Sequence, residues 1–239
     1  MKILGLTGSI GMGKSTAARL LRRMGLPVHD ADATVHRLLG RGGAAVAAVE
    51  AEFPGTGAGG AVDRRELGKR VFGDPAALRR LEAILHPLVR QAETAFLRRQ
   101  ARRQARLVVL DIPLLLETGG ERRCDAVAVV TAPAFLQAQR VLRRPGMTPE
   151  RLDQVRAQQM PDTLKRRCAD FVIPTGTGMR PALRHLARAV TVMLARPGRG
   201  RYPSPPRPGL TCAKSFSIPK PPASTPSPAT VSSKSAVSS

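Results

Sequence analysis

The chain has 239 residues, 42% hydrophobic but only 3% aromatic, enough for one sizeable aliphatic core with room for a small inserted domain. Its formal charge of +22 makes polyanionic partners, nucleotides or nucleic acids, the first classes to weigh. No apolar run approaches a membrane span, Gly5 and Gly8 come too soon for a secretory leader, and Cys124, Cys168 and Cys212 stand in no metal-ligand spacing. The expectation is a cytoplasmic protein with free thiols and no membrane partner.

Residues 2–7 read as a buried strand, and they run directly into Gly8-Ser9-Ile10-Gly11-Met12-Gly13-Lys14-Ser15, followed by Thr16. That octapeptide fits the phosphate-binding loop, and it has the context the motif requires: an apolar strand before it and a helical pattern after it. Glycines let such a loop turn its amides inward, and the helix that follows directs its positive end at the bound phosphates. Gly11, Met12, Gly13, Lys14, Ser15 and Thr16 are therefore the candidate ATP-binding residues. Lys14 would reach the β- and γ-phosphates, and Ser15 would sit on Mg²⁺. The helix covers Ser15 to Met24 with an apolar face of Ala18, Leu20, Leu21 and Met24, and Gly25 and Pro27 end it.

A short strand through Val28 and His29 delivers Asp30-Ala31-Asp32 at its carboxyl end, where parallel α/β sheets place their ligands. From Ala33 to about Arg106 the pattern is helical: Ala44 to Phe53 as a helix, Pro54 to Gly60 as a loop, then apolar residues at helical spacing from Leu78 to Phe96. Pro87 is expected to kink or break that last run. Strands return at Leu107 to Asp111, Ala126 to Val130 and Phe171 to Ile173. Between the last two lies a basic helical pair, 134–168, with Thr148 as N-cap and Pro149 at the first helical position of its second helix. A final amphipathic helix covers Pro181 to Leu194.

These elements predict an α/β, P-loop NTPase-like three-layer fold: a five-stranded parallel sheet, a helical insertion at 33–106 and a helical lid at 134–168. The core segments are 1–32, 107–133 and 169–195. Residues 196–239 carry ten Pro, ten Ser, seven Lys or Arg and no acidic residue, and are expected to be a disordered basic tail. Without that tail the balance is 32 basic against 17 acidic residues. A basic cleft for two polyanionic substrates accounts for such an excess, and with one Tyr and no Trp there is no base-stacking pattern.

Two carboxylates suit phosphoryl transfer. Asp32 is placed to accept or orient the proton of an attacking hydroxyl, and Asp111, closing its strand, to organise Mg²⁺ through water. Either could instead be a helix cap or turn residue. Asp30 is expected to be structural, because strand alternation turns it away from Asp32. His36 and His86 are read as packed or hydrogen-bonded residues. Three functions remain open on the residues alone: a small-molecule kinase, a nucleoside or nucleotide kinase, and a basic nucleic-acid-binding protein that keeps the loop as a switch.

Further segments narrow the choice. Asp30-Ala31-Asp32, Asp63-Arg64-Arg65, Leu81-Glu82-Ala83-Ile84-Leu85-His86-Pro87, Asp111-Ile112-Pro113-Leu114-Leu115 with Glu117, Gln159-Met160-Pro161 and Asp170-Phe171-Val172-Ile173 together resemble the dephospho-CoA kinase family over residues 2–195. The resemblance implies phosphorylation of the ribose 3′-hydroxyl of dephospho-CoA by ATP with Mg²⁺. It also implies Asp32 as the hydroxyl-activating carboxylate, Arg140 as a lid arginine on the phosphates, His86 and Pro87 in the substrate wall, and a monomer that binds no specific nucleic acid. Where the family carries an acidic residue after Val-Ile of the last strand, this sequence has Pro174, and the tail has no counterpart in the family pattern.

Overall fold

The structure is a computed structural model describing residues 1–195, so the tail at 196–239 lies outside the described residues. Five parallel strands form the central sheet: β1 (Lys2–Thr7), β2 (Val28–Asp30), β5 (Leu107–Asp111), β6 (Ala126–Thr131) and β7 (Phe171–Pro174), in the order β2-β5-β1-β6-β7. The register pairs Leu6 with Asp111 and Ala128, Asp30 with Asp111, and Thr131 with Pro174, so the strands' carboxyl ends converge on one edge of the sheet.

Strand alternation sorts the apolar side chains into two layers. Leu4, Leu6, Val109, Ala128, Val130 and Ile173 pack under α1 (Lys14–Arg23) and α9 (Met179–Ala195), against Ala18, Leu21, Leu186 and Met193. Val108, Leu110, Val127 and Val129 face the other way, onto Phe96, Leu115, Leu116 and Met160. A sheet covered on both faces explains why its strands read as nearly unbroken apolar runs.

Between β2 and β5 lie α2 (Ala31–Leu39), α3 (Val46–Glu52), α4 (Arg64–Val71) and α5 (Pro75–Arg102), with a core of their own built on Leu39, Val49, Phe53, Val62, Leu67, Ala77 and Leu81. Truncating Phe53 or Leu81 to Ala in so small a cluster would cost about 2–5 kcal/mol. Aspartates start three of these helices: Asp30 accepts from Ala33 N, Asp63 from Arg65 N and Glu66 N, and Asp74 from Ala76 N and Ala77 N. Each such cap stabilises by about 1 kcal/mol.

This segment departs from the expected pattern in places. The loop at 54–60 contains half of a small hairpin, β3 (Gly57–Ala58) with β4 (Ala61–Val62), turning on Gly59 and Gly60 at positive φ. Pro87 does not break α5, which runs for 28 residues through it. Proline in a helix interior costs about 3 kcal/mol relative to Ala, but Leu81 is anchored in the insertion core and Phe96 in the sheet core. The rod is thus held at two points, and Ala83, whose carbonyl loses its partner, is exposed to water. Within the expected apolar stripe Leu81 and Phe96 are buried, and Leu78 at its start is exposed, with Ala77 buried beside it.

After β5 a loop leads through a short 3-10 helix (Gly120–Arg123) to β6; then come α6 (Ala134–Leu142), α7 (Pro149–Gln158), capped by Thr148, and α8 (Asp162–Arg167). Cys124 is a free thiol whose burial pushes it up to about 12. Among the described residues no helix is long and apolar enough to cross a membrane.

Candidate active site

The loop joining β1 to α1 has the backbone its sequence demands. Gly13 sits at φ +90°, a left-handed conformation that side chains resist, and a Cβ on Gly8 would fall 2.7 Å from the Val130 carbonyl oxygen on β6. α1 starts at Lys14 with no side-chain cap and no acidic residue in its first turn, so its amides and dipole are presented to an incoming anion.

Lys14 lies between two carboxylates. Its Nζ donates to Asp111 Oδ1 at 2.7 Å and stands 3.9 Å from Asp32 Oδ2. The two acids differ sharply in environment: the Asp111 side chain is 3% exposed and that of Asp32 68%. Burial pushes the Asp111 carboxyl above its ordinary value, reinforced by the neighbouring Asp30 and Asp32 charges and opposed by Lys14. Asp30, whose burial works in the same direction, is nonetheless held below its ordinary value by the Ala33 amide, Lys14 and Arg22. It is the α2 N-cap, whereas Asp32 projects from the first turn of that helix. The β2 edge therefore divides the Asp-Ala-Asp segment into a structural and a solvent-facing acid.

A cleft of about 550 Å³ opens over the loop, lined by Gly11, Gly13, Lys14, Ser15, Thr16, Asp32, Arg140 and Arg144 among others. Ser15 is exposed there; Met12 is buried, its Sδ accepting from Ala132 N. The far wall comes from the 134–168 helices and the β7 loop, and it is bonded to the phosphate loop at several points. Gln137 Nε2 donates to Ile10 O (2.8 Å), and its Oε1 accepts from the Arg156 guanidinium (2.9 and 3.1 Å). Gln159 Oε1 accepts from Ile10 N at 3.0 Å. Arg140 donates to Thr175 O (2.9 Å) and Thr175 Oγ1 (3.1 Å), and Thr175 Oγ1 in turn donates to Met12 O (2.7 Å).

Arg140 thus reaches the cleft with its guanidinium clamped across the loop and the β7 end. Arg144, just past the end of α6, also lines the cleft and is exposed; the basic stretch Arg140-Val141-Leu142-Arg143-Arg144 was the signal for it. Gln159 stands in the Gln159-Met160-Pro161 segment, but its bond to Ile10, like those of Gln137 and Thr175, spans more than 100 residues of sequence and had no local signal. His36 is at the surface against Arg64, and His86 is exposed on α5 beside Pro87.

A parallel sheet with a phosphate loop after β1, a lysine seated on a buried strand-end acid, a second acid open to the cleft and arginines on the wall facing it define a phosphate-loop kinase. Comparison with known proteins names the kind. A family model described as dephospho-CoA kinase matches residues 2–180, and the chain belongs to that family, the kinases that complete coenzyme A biosynthesis. A dephospho-CoA kinase of Rhodospirillum rubrum is 63% identical over 201 residues, covering 84% of this chain and 94% of that protein. One from Paramagnetospirillum magneticum is 74% identical over 166 residues, covering 70% and 78%. Among solved structures, a Thermus thermophilus protein superposes with a TM-score of 0.71 at 39% identity, over 82% of this chain and 98% of that one. The dephospho-CoA kinase of Campylobacter jejuni shares the fold, with a TM-score of 0.57 at 21% identity over 80% and 97%.

Proposed function

We propose that the chain moves the γ-phosphoryl group of ATP to the ribose 3′-hydroxyl of dephospho-CoA, giving CoA and ADP, with the chemistry divided between the two acids beside Lys14. The observation that carries this reading is that Asp32 is open to the cleft within 3.9 Å of Lys14 Nζ. An exposed carboxylate at that distance is placed to take or orient the proton of an acceptor hydroxyl as it attacks. The amides of Gly11 to Thr16 hold the β- and γ-phosphates, and Lys14 neutralises charge on the transferring group. Arg140, with Arg144, brings further positive charge to the phosphates.

Ser15 and Asp111 offer a hydroxyl and a carboxylate, the hard oxygen donors that suit Mg²⁺. They are the residues that would hold it, Asp111 through water because it is buried and engaged by Lys14. Bound Mg²⁺ supplies charge neutralisation on the phosphate oxygens. The segment at 33–106 is read as the receiver of dephospho-CoA, with His86 and Pro87 in its wall, and 134–168 as a lid over the phosphates. The same reading makes the protein a cytoplasmic monomer, to be checked by light scattering and by fractionation.

The test is ADP release in the presence of ATP and Mg²⁺, with dephospho-CoA, adenosine, AMP and cytidine offered as separate acceptors. Turnover confined to dephospho-CoA is expected; turnover with a nucleoside or nucleotide instead would overturn the acceptor assignment.

A further inference from the structure

Outside the cleft, the described residues hold a second buried ion pair. Lys165 on α8 is wholly buried, and its Nζ is 2.8 Å from Oε1 of Glu117, whose side chain is 3% exposed. Such a pair loses its hydration on folding, and a well-packed apolar pair of similar size is commonly as stable or more so. Its presence is therefore weak evidence for a stabilising role and directs attention to what it positions.

The same Glu117 Oε1 accepts from the backbone amide of Met160 at 3.0 Å. Met160 is buried in the sheet core, and the residue before it is Gln159, whose Oε1 accepts from Ile10 N in the phosphate loop. Glu117 itself belongs to the segment that follows Asp111, and Thr7 Oγ1 donates to Pro113 O in that segment at 2.8 Å. Two struts therefore run from the β5 loop to the phosphate loop, one through Thr7 and the other through Met160 and Gln159. Lys165 Nζ thus lies against the same Glu117 oxygen that holds the Met160 amide.

We propose that Glu117 and Lys165 are positioning residues for ATP: the pair fixes residues 159–160, and Gln159 thereby holds the Ile10 amide and the entrance of the phosphate loop in shape for the triphosphate. The inference rests on the kinase reading above. It goes beyond that reading in assigning a nucleotide-directed role to two residues that touch no substrate.

Three variants test it, read by the ATP dissociation constant from calorimetry, the KM for dephospho-CoA and the melting temperature. Glu117→Leu with Lys165→Met removes both charges and the Met160 acceptor while keeping the space filled. Glu117→Gln with Lys165→Met keeps a neutral acceptor. Gln159→Leu removes the last link alone. The expected result is a folded Leu/Met variant that binds ATP about tenfold more weakly, the worth of one backbone hydrogen bond, with the dephospho-CoA KM unchanged. The Gln/Met variant should recover most of that loss, and Gln159→Leu should reproduce it. Wild-type ATP affinity in the Leu/Met variant or in Gln159→Leu would overturn the proposal. Failure of both double variants to fold would overturn it too, by showing the pair to be a stability element. ATP binding does not depend on which hydroxyl is phosphorylated, so wild-type inactivity on dephospho-CoA would strike only the acceptor assignment.

Discussion

The two sides of the cleft are built differently. On the nucleotide side, Ile10, Gly11 and Met12 are bonded through their backbone to Gln159, Gln137, Arg140 and Thr175, and Lys14 is seated on a buried acid. On the side proposed to receive the acceptor, Asp32 projects into solvent from the first turn of α2, with Lys14 as its ion-pair neighbour. The contrast suits an enzyme whose ATP site is assembled before the acceptor arrives and whose acceptor site is completed by the substrate itself. Preorganised charge acts on the transferring group without further rearrangement, whereas an exposed base remains accessible to a bulky incoming hydroxyl.

Removing the centre of the nucleotide side should have the largest effect. Lys14→Ala is expected to lower kcat by about 10³-fold, since it takes away a charge aimed at the transferring phosphoryl; a loss below tenfold in ADP release would break the account of that side. Arg140→Ala removes a clamp between the loop and Thr175, and should weaken ATP binding by about tenfold, the range of a charge-assisted hydrogen bond, with little change in the KM for dephospho-CoA. An equal rise in both constants would dissolve the distinction between the two sides.

A smaller effect should appear beneath the acceptor side, in stability and not in turnover. His29 on β2 is buried against the Phe96 ring of α5, with centroids 5.3 Å apart, and burial together with the Arg37 charge lowers its pKa from 6.5. A base whose folded pKa is depressed stays neutral in the native state while the unfolded chain takes up a proton, so stability is lost as pH falls through about 6.5 towards the folded value. The slope approaches about 1.4 kcal/mol per pH unit for one group. Melting curves from pH 8 to 5 should show it, and His29→Leu should flatten it.

Much of this contrast was legible in the sequence on one side only. The phosphate loop is contiguous, so the residue types and the turn that needs them stand together, and the β-branched runs at 107–111 and 126–130 mark the covered strands. Of the wall facing the loop, Arg140 was legible, but not the bonds of Gln137 and Gln159 to Ile10, or of Thr175 to Met12, which join residues that no local pattern connects. In the insertion, Asp63 with Glu66 three residues later was a capping signal for α4 that went unread. The hairpin at 57–62 has strands of two residues each, too short for alternation to register. Of the kink and the break expected at Pro87, the break does not occur, because packing at Leu81 and Phe96 overrides local propensity. Asp30 is structural as expected, but as the N-cap of a helix that starts at Ala31, and not because strand alternation turns it away from Asp32.

The measurement that bears most directly on the division between the two acids is single-turnover phosphoryl transfer by Asp32→Asn, alongside its ATP dissociation constant. The exposed position makes a stability change beyond about 0.5 kcal/mol unexpected, so the rate can be read without correction for unfolding. The account predicts transfer slowed by about 10²- to 10⁴-fold with ATP affinity within twofold of the wild type. Transfer at the wild-type rate would contradict it, as would a loss of ATP binding that matched the loss of rate.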